Sequence, residues 1–579
     1  MTNASDVLAL ARDWLAHDPD PNTRTELEEL LRKNDVAELT DRFGTWLEFG
    51  TAGLRGTLGT GTNRMNRAVV RRTTLGLARY LKSQLSDDAT RSVVVGRDGR
   101  HMSPEFLEDV VGVLTAEGFV AHVYEGVIPT PMVSHGVNAL GAAAGVMVTA
   151  SHNPPAYNGY KVYWGNGAQI IPPTDAGIAA SIAQVGPADG IRMLTRAEAG
   201  ALYRPMPASV EENYLARLMK LQLHAEVPRT LSIAYTPMHG VGNRLARTAF
   251  ARAGFTQVET VAEQAEPDGD FPTVKFPNPE EPGAMDRVIA LAEKMKADVA
   301  IANDPDADRL AVAARDVSGK IRVFTGNEVG LLLGHYVLTE GQADAKTLVV
   351  TTVVSSSQLG AMARELGVRY AETLTGFKWI TNRAMELEKQ EGLRFAMGFE
   401  EALGYTVGTV TRDKDGVSSA LVVADLANWC KQQGRTLVDE LGRIQKRFGL
   451  FSSAQKSITL PGSDGAQKIA GIMTRFRDQP PAEIGGHRVR ARIDIQNSVR
   501  FTADGKSEPL SLPKSNVLVF ELEGDARVVL RPSGTEPKIK FYFERREAVG
   551  ASETPESVRI RADQATSELQ RSFLRLIES

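Results

Sequence analysis

Three series of short apolar runs, each run separated from the next by a stretch with helical spacing, limit what this chain can fold into. "SVVVG", "FVAHVYEG" and "AAAGVMVTA" form the first series, "LSIAYTP", "TQVETVA" and "DVAIAND" the second, and "TLVVTTVV", "VRYAET" and "LRFAMGFE" the third. Short runs of this kind bounded by turn residues read as buried strands, and strands alternating with helices read as α/β units. From about Phe451 the pattern changes: short strands in "RVRARIDI", "NVLVFEL" and "ARVVLRPSG", a turn-rich middle and an amphipathic last helix suit a smaller α+β unit. At roughly 150 residues per domain, the 579 residues divide into about four. The expected boundaries are 1–205, 206–330, 331–450 and 451–579. Gly186 to Pro207 and Glu263 to Gly283, rich in Pro, Gly and acidic residues, read as connections.

A net charge of -4 and a pI near 6.2 leave no polybasic surface, which argues against nucleic acid or an anionic membrane as partner. The single cysteine, Cys430, sits in the apolar stretch "ALVVADLANWC" and reads as a buried structural thiol; no disulfide can form within one chain. The first residues are acidic and amphipathic, without the basic and apolar regions of a signal peptide, and no run approaches the ~18 apolar residues of a membrane span. The cytoplasm is the expected compartment.

In open α/β sheets, ligands bind beyond the carboxyl ends of the strands, so the loops there are the places to look for chemistry. "AAAGVMVTA" ends on Ser151 beside His152. Neighbours in an extended chain project to opposite sides, so His152 is poorly placed to take a proton from Ser151, and the G-x-S-x-G elbow is absent. After "DVAIAN" comes "DPDADR", in which Asp304, Asp306 and Asp308 alternate in what reads as an extended segment. Three carboxylates turned to one side call for a cation, and all-oxygen ligands point to Mg²⁺ or Ca²⁺. An EF-hand would need Gly and Glu where this chain has Arg309 and Arg315, so Mg²⁺, which shares its shell with substrate phosphate, fits better. After "LRFAMG" comes "FEEALGY". In "RVVLRPSGTEPKIKFYF", Arg531, Ser533, Gly534 and Thr535 offer a guanidinium, two hydroxyls and backbone N–H groups, a donor set for phosphate. Arg55 lies among glycines in "EFGTAGLRGTLGTGTNR", which lacks the ending of a P-loop. A serine, a Mg²⁺ site and phosphate cradles make sense together if Ser151 carries a phosphoryl group and passes it to a phosphorylated substrate. Such transfer needs positioning and charge neutralisation more than a strong base, so no triad is required.

The blocks "FGTAGLRG", "TASHNPPAYNGYKVYWGNGAQI", "YTPMHGVG", "DPDADRLAV", "TGFKWI", "GFEEALGY" and "RPSGTEPKIKFY", in this order, resemble the α-D-phosphohexomutase superfamily over essentially the whole chain. Within it, the phosphoglucomutase type 2 and phosphopentomutase-like branch is the nearest in pattern. The resemblance implies four domains round a central cleft, three similar α/β domains and a C-terminal domain related to the TATA-box-binding-protein fold. It implies that Ser151 is the phosphorylated residue, completing a Mg²⁺ site with Asp304, Asp306 and Asp308. Lys161 becomes a general acid or base, with His152 in support and Arg55 at the transferring phosphoryl group. Arg309 should lie near the metal loop. Glu400 would hold sugar hydroxyls, Thr375 and Gly376 would read sugar orientation, Lys414 would assist the distal phosphate, and Arg531, Ser533, Gly534 and Thr535 would form the main phosphate-binding loop.

The implied reaction interconverts glucose 1-phosphate and glucose 6-phosphate through glucose 1,6-bisphosphate, with mannose, ribose or deoxyribose phosphates as alternatives. The family's sugar loop commonly reads Glu-x-Ser, whereas Ala402 stands here where that serine would be, which removes one hydroxyl contact. Two readings from other classes are a haloacid-dehalogenase-like phosphatase, whose D-x-D motif normally continues with Thr or Val where Asp308 stands, and a catalytically silent sugar-phosphate sensor, which the intact Ser151, Lys161 and three aspartates argue against.

Overall fold

Each of the nine apolar runs forms a strand. The computed structural model describes residues 4–49, 53–86, 91–460, 464–534 and 537–578. It divides into two units: Met1–Phe324 with Ala402–Gly434, and Thr325–Glu401 with Arg435–Ser579.

In the first unit, the strands Ala144–Val148, Ser92–Arg97 and Val120–Val123 run parallel side by side. Every residue of Ala144–Val148 is buried, as expected of a strand with helices packed over its sheet, here Ser103–Ala116 and Thr130–Leu140. The polar stretch after Ser151 does not stay a loop. From Tyr157 to Trp164 the chain turns back antiparallel along Ala144–Val148, with Lys161 opposite Met147, and Leu54–Thr57 adds outside it, with Arg55 opposite Gly159. Gly159 is required by this close approach, because a Cβ there would lie 2.6 Å from the carbonyl oxygens of both Leu54 and Thr149. The stretch read as a connection from Gly186 also contributes structure: Tyr203–Pro205 is a parallel edge strand on Val120–Val123, too short and too polar to show a strand period.

Helices Ala4–His17, Pro21–Lys33 and Val36–Phe43 precede this sheet, with Trp14 meeting Phe43 and Trp46 edge to face and Val7, Ala11, Leu27 and Leu39 buried. A second sheet runs in the order Ile321–Val323, Ala311–Arg315, Val299–Ala302, Ser232–Thr236, Gln257–Thr260; the last three are parallel and the others antiparallel. Segment 402–434, within the stretch 331–450 expected to form the third domain, packs in this unit. Its polar groups find buried partners there: Asp413 accepts from Tyr163 at 2.7 Å and Gln169 at 2.6 Å, and Asp415 accepts from Tyr214 at 2.9 Å.

The second unit holds the parallel strands Arg369–Thr373, Thr347–Thr352 and Arg394–Glu400. It also holds an antiparallel sheet in the order Leu450–Thr459, Lys538–Glu547, Ala526–Pro532, Leu518–Leu522, His487–Asp494, Val499–Thr502, Ser507–Pro509. Helices Gly465–Asp478 and Pro555–Glu578 close a core of Phe476, Phe520, Phe541, Phe543 and Phe573 against that sheet. This is the α+β tail read from the sequence. Among the described residues, no helix is long and apolar enough to cross a membrane, and Cys430 is buried.

Gly159→Ala should lower stability by about 1–3 kcal/mol, since backbone carbonyls cannot move aside as a side chain can. Urea unfolding followed by circular dichroism should show the lower midpoint.

Candidate active site

The buried strand Ala144–Val148 delivers Ser151 to its carboxyl end, and there the backbone breaks out of the extended form, with φ +53° at Ser151. That turn corrects the expectation for His152. With Ser151 left-handed the two side chains no longer diverge, and His152 Nδ1 lies 3.2 Å from Ser151 Oγ. Burial first, then the charges of Arg309 and Arg55, hold the His152 ring well below its ordinary value, so it is neutral at pH 7. Ser151 Oγ donates to Asp304 Oδ2 at 2.9 Å, and Ser151 N donates to Thr149 Oγ1 at 2.8 Å.

Asp304, Asp306 and Asp308 are fully buried in the loop between Val299–Ala302 and Ala311–Arg315. They are gathered by a turn rather than by the alternation of an extended segment: Ala307 has φ +54° and its N–H donates to Asp304 O at 2.8 Å. Gly416 seats this turn, its N–H donating to Ala307 O at 3.2 Å, and a Cβ there would stand 2.3 Å from Arg309 O. Lys161, also fully buried, donates to Asp306 Oδ2 at 2.7 Å and Asp308 Oδ2 at 2.8 Å. Arg309 Nε is 4.0 Å from Asp304 Oδ2. Lys414 Nζ is 3.2 Å from Asp308 Oδ2, which makes it part of this charge cluster, whereas the sequence reading gives it to the distal phosphate. Arg55 donates to Asn153 Oδ1 at 3.0 Å, and its buried Nε has no partner among the described residues.

Burial would raise the Asp308 carboxyl, but Lys161, Lys414 and Arg309 outweigh it and hold Asp308 well below the ordinary range. Asp304 goes the other way, because burial and the charges of Asp306 and Asp308 all push it well above. Burial alone would lower Lys161; Asp306 and Asp308 overcome it and keep the amine charged. A divalent cation fits this arrangement. One oxygen from each aspartate lies within 4.8 Å of the others, and Asp306 Oδ1 and Asp308 Oδ1 are buried without a hydrogen-bond partner among the described residues. Hard oxygen ligands suit Mg²⁺. Lys161, Lys414, Arg309 and Arg55 surround the three carboxylates, with Asp413 3.8 Å from Lys414 and Glu280 3.5 Å from Arg309, and a dianionic phosphoryl group arriving with a divalent cation would leave the net charge of the cluster unchanged.

In the second unit, Glu400 is buried at the end of Arg394–Glu400. Gly376, at φ +110°, leads into the helix Phe377–Glu391, and Thr375 Oγ1 is buried with no partner among the described residues. Arg531 lies on Ala526–Pro532, Ser533 N donates to Lys538 O at 2.7 Å, and Gly534 is exposed. Thr535 lies outside the described residues.

Models of the phosphoglucomutase/phosphomannomutase family match the chain in order: alpha/beta/alpha domain I over 47–188, domain II over 212–319, domain III over 325–448 and the C-terminal domain over 496–560. The chain belongs to this family, within the α-D-phosphohexomutases. It is therefore a phosphosugar mutase, an isomerase that moves a phosphoryl group within a sugar phosphate. A probable phosphoribomutase of Schizosaccharomyces pombe is 38% identical, over 92% of this chain and 93% of that protein. A probable phosphomannomutase of Haemophilus influenzae is 42% identical, over 83% of this chain and 93% of its own length. The crystal structure of a putative phosphomannomutase from Thermus thermophilus shares the fold, with a TM-score of 0.68 at 21% identity, covering 92% of this chain and all of that one.

Two residues of this mutase escaped the sequence reading. Arg100, buried, donates to the carbonyls of Ser151 at 2.6 Å, Pro154 at 2.9 Å and Tyr157 at 3.1 Å and also to Asn153, wrapping the serine loop round one guanidinium. Thr130, at the start of its helix, donates through Oγ1 to Asp306 Oδ2 at 2.6 Å and through its N–H to Asp306 O at 2.9 Å. Both follow strands of the first sheet, in "GRDGR" and "VIPTP", so the rule that singled out Ser151 also covers them. Arg100→Met should cost about 2–4 kcal/mol of stability by stranding buried carbonyls, and should lower kcat more than about tenfold by loosening Ser151. Denaturant melts and steady-state kinetics on the same preparation would show both.

Proposed function

We propose that the protein exchanges a phosphoryl group between Ser151 and either end of a sugar monophosphate. The observation that carries this is Ser151 Oγ hydrogen-bonded to Asp304 in a loop whose other two aspartates keep unpartnered oxygens buried beside it. Phospho-Ser151 gives its phosphoryl group to the free hydroxyl of the substrate, and the resulting bisphosphate turns round and returns its other phosphate to Ser151. His152, kept neutral, and Asp304, to which Oγ donates, are the groups beside Oγ able to take a proton, and Lys161, kept charged, is a group able to give one. Asp304, Asp306 and Asp308 would hold Mg²⁺, which when bound supplies Lewis-acid stabilisation of charge on the phosphoryl oxygens. Arg55, with its unpartnered Nε, would meet the same oxygens. In the second unit, Glu400 with Thr375 and Gly376 would take sugar hydroxyls, and Arg531 with Ser533, Gly534 and Thr535 the distal phosphate.

For the sugar, we put ribose 1-phosphate and ribose 5-phosphate first. The relative named a phosphoribomutase aligns over 92% of the chain, and Ala402 removes a hydroxyl contact, which suits a sugar with fewer hydroxyls. Glucose 1-phosphate and glucose 6-phosphate, with glucose 1,6-bisphosphate as intermediate and activator, are the second reading, favoured by phosphoglucomutases among the relatives.

Ser151→Ala should fold normally, lose mutase turnover and lose the one phosphate that intact-mass analysis finds on fresh wild-type protein. Wild-type turnover should stop in excess chelator and return with Mg²⁺. An alanine variant with wild-type rates would end the phosphoserine reading.

A coupled-assay panel of ribose, glucose and mannose 1-phosphates should give the highest kcat/KM on ribose 1-phosphate. Ala402→Ser should shift the ratio towards glucose by up to about tenfold, the equivalent of ~1.4 kcal/mol. A panel led by glucose 1-phosphate would reverse the order proposed here.

A further inference from the structure

Arg527 is largely shielded from solvent within the second unit, its side chain 13% exposed, on the strand that carries Arg531. Alternate residues of a strand share a face, so Arg527, Val529 and Arg531 lie in a row on one side of the sheet. From there the Arg527 guanidinium reaches three separate pieces of chain. Nη1 donates to Glu372 Oε1 at 3.3 Å, Nε lies 3.3 Å from Glu544 Oε1, and Nη2 donates to the carbonyl of Ser355.

The contacts lead to two stretches outside the sheet, the one after Thr347–Thr352 and the one after Arg369–Thr373. Glu372 belongs to the strand Arg369–Thr373, which runs directly into Thr375 and Gly376, and its Oε1 also accepts from Tyr370 at 2.7 Å. Ser355, held through its carbonyl, uses its hydroxyl to donate to Glu401 Oε2 at 3.0 Å and to accept from Glu401 N at 3.1 Å, which fixes the backbone next to Glu400. Glu544, on the strand beside Arg531, accepts from Ser357 N at 3.0 Å and Ser357 Oγ at 2.6 Å. Tyr542 on that same strand is within hydrogen-bonding reach of Arg531 and feels the charges of Glu401 and Glu400.

We propose that Arg527 is a positioning residue for substrate binding, holding the loops that carry Glu400 and Thr375–Gly376 in register with its own strand, which carries Arg531. This rests on the reading above that those loops take the sugar hydroxyls and the distal phosphate. A planar guanidinium can meet a carboxylate on two sides and a carbonyl at its tip at once, whereas an ammonium is a point charge without a fixed fork. The charge and the fork therefore do different things: the charge neutralises Glu372 and Glu544, and the fork sets the spacing of the loops. Ser151 and the three aspartates belong to the other unit, so loss of the fork should weaken the grip on substrate more than it slows phosphoryl transfer.

The test compares Arg527→Lys, Arg527→Met and Arg531→Ala in the full chain, with kcat and KM measured in both directions on a sugar phosphate that the wild type turns over, and thermal midpoints measured alongside. Both Arg527 variants should raise KM about tenfold in each direction with kcat within about threefold. Arg527→Lys should keep the wild-type midpoint, because the charge remains. That split between affinity and stability is what a merely structural arginine would not produce. A lysine variant that recovers wild-type KM together with its midpoint overturns the proposal. So does an Arg527→Met enzyme of wild-type KM while Arg531→Ala is impaired, and in that case the reading of the loops survives. A wild-type KM in Arg531→Ala removes that reading and this proposal with it. If Arg527→Met does not fold, the lysine variant alone decides the question.

Discussion

The buried ammonium of Lys161 between Asp306 and Asp308 is the interaction on which the first unit depends. Lys161 comes from a strand of the first sheet and the aspartates from a loop of the second, so the ion pairs join the two sheets at the point where chemistry is expected. Removing one partner of a fully buried set leaves an uncompensated charge, typically at a cost of about 3–5 kcal/mol. Thr130 reinforces the junction from the first sheet's side, and Lys414 and Arg309 complete the charge balance. The cluster is therefore both a joint between sheets and a preformed charge environment, already oriented before any phosphate enters.

Two residues next to this joint, Ser151 and Ala307, hold left-handed backbone that non-glycine residues avoid. Each such conformation costs on the order of 1–3 kcal/mol and persists only where its surroundings enforce it. Arg100 enforces the first by gathering the carbonyls of the serine loop, and Gly416 with the Ala307 hydrogen bonds enforces the second. In both places the strain aims side chains: Oγ of Ser151 comes to Asp304, and the three carboxylates come to a common side.

Much of this was legible in the sequence, because burial leaves a composition signature. Most of the nine strand runs stand out because they are buried in their sheets, Gln257–Thr260 and Arg369–Thr373 being partly exposed edge strands, and Ser151 and the aspartates stand out because they interrupt buried runs. Leu450–Thr459 did not stand out: "LFSSAQKSIT" is a half-exposed antiparallel strand with little apolar period. His152 was misplaced because side-chain direction was taken from an extended chain, and a single positive φ reverses that geometry. Asp413 and Asp415 carry no local sign of their partners Tyr163 and Tyr214, more than 200 residues earlier, so the return of 402–434 to the first unit could not be read from patterning. The position of Arg100 beyond a strand end could be read, but not its role, because its partners are main-chain carbonyls, which no residue code reveals.

That return has a consequence for how the protein comes off the ribosome. Chains fold domain by domain as they emerge, the amino-terminal part first. Here the first unit is interrupted after Phe324 and resumes only at Ala402, with the intervening residues belonging to the other unit. Until Gly434 has emerged, Tyr163, Gln169 and Tyr214 lack their acceptors, Asp308 lacks Lys414, and the turn at Ala307 lacks Gly416. The serine centre, although its nucleophile and aspartates are all encoded before residue 310, must wait for Lys414 and Gly416 during the synthesis of more than a hundred further residues. Completion of the site is thereby tied to late translation.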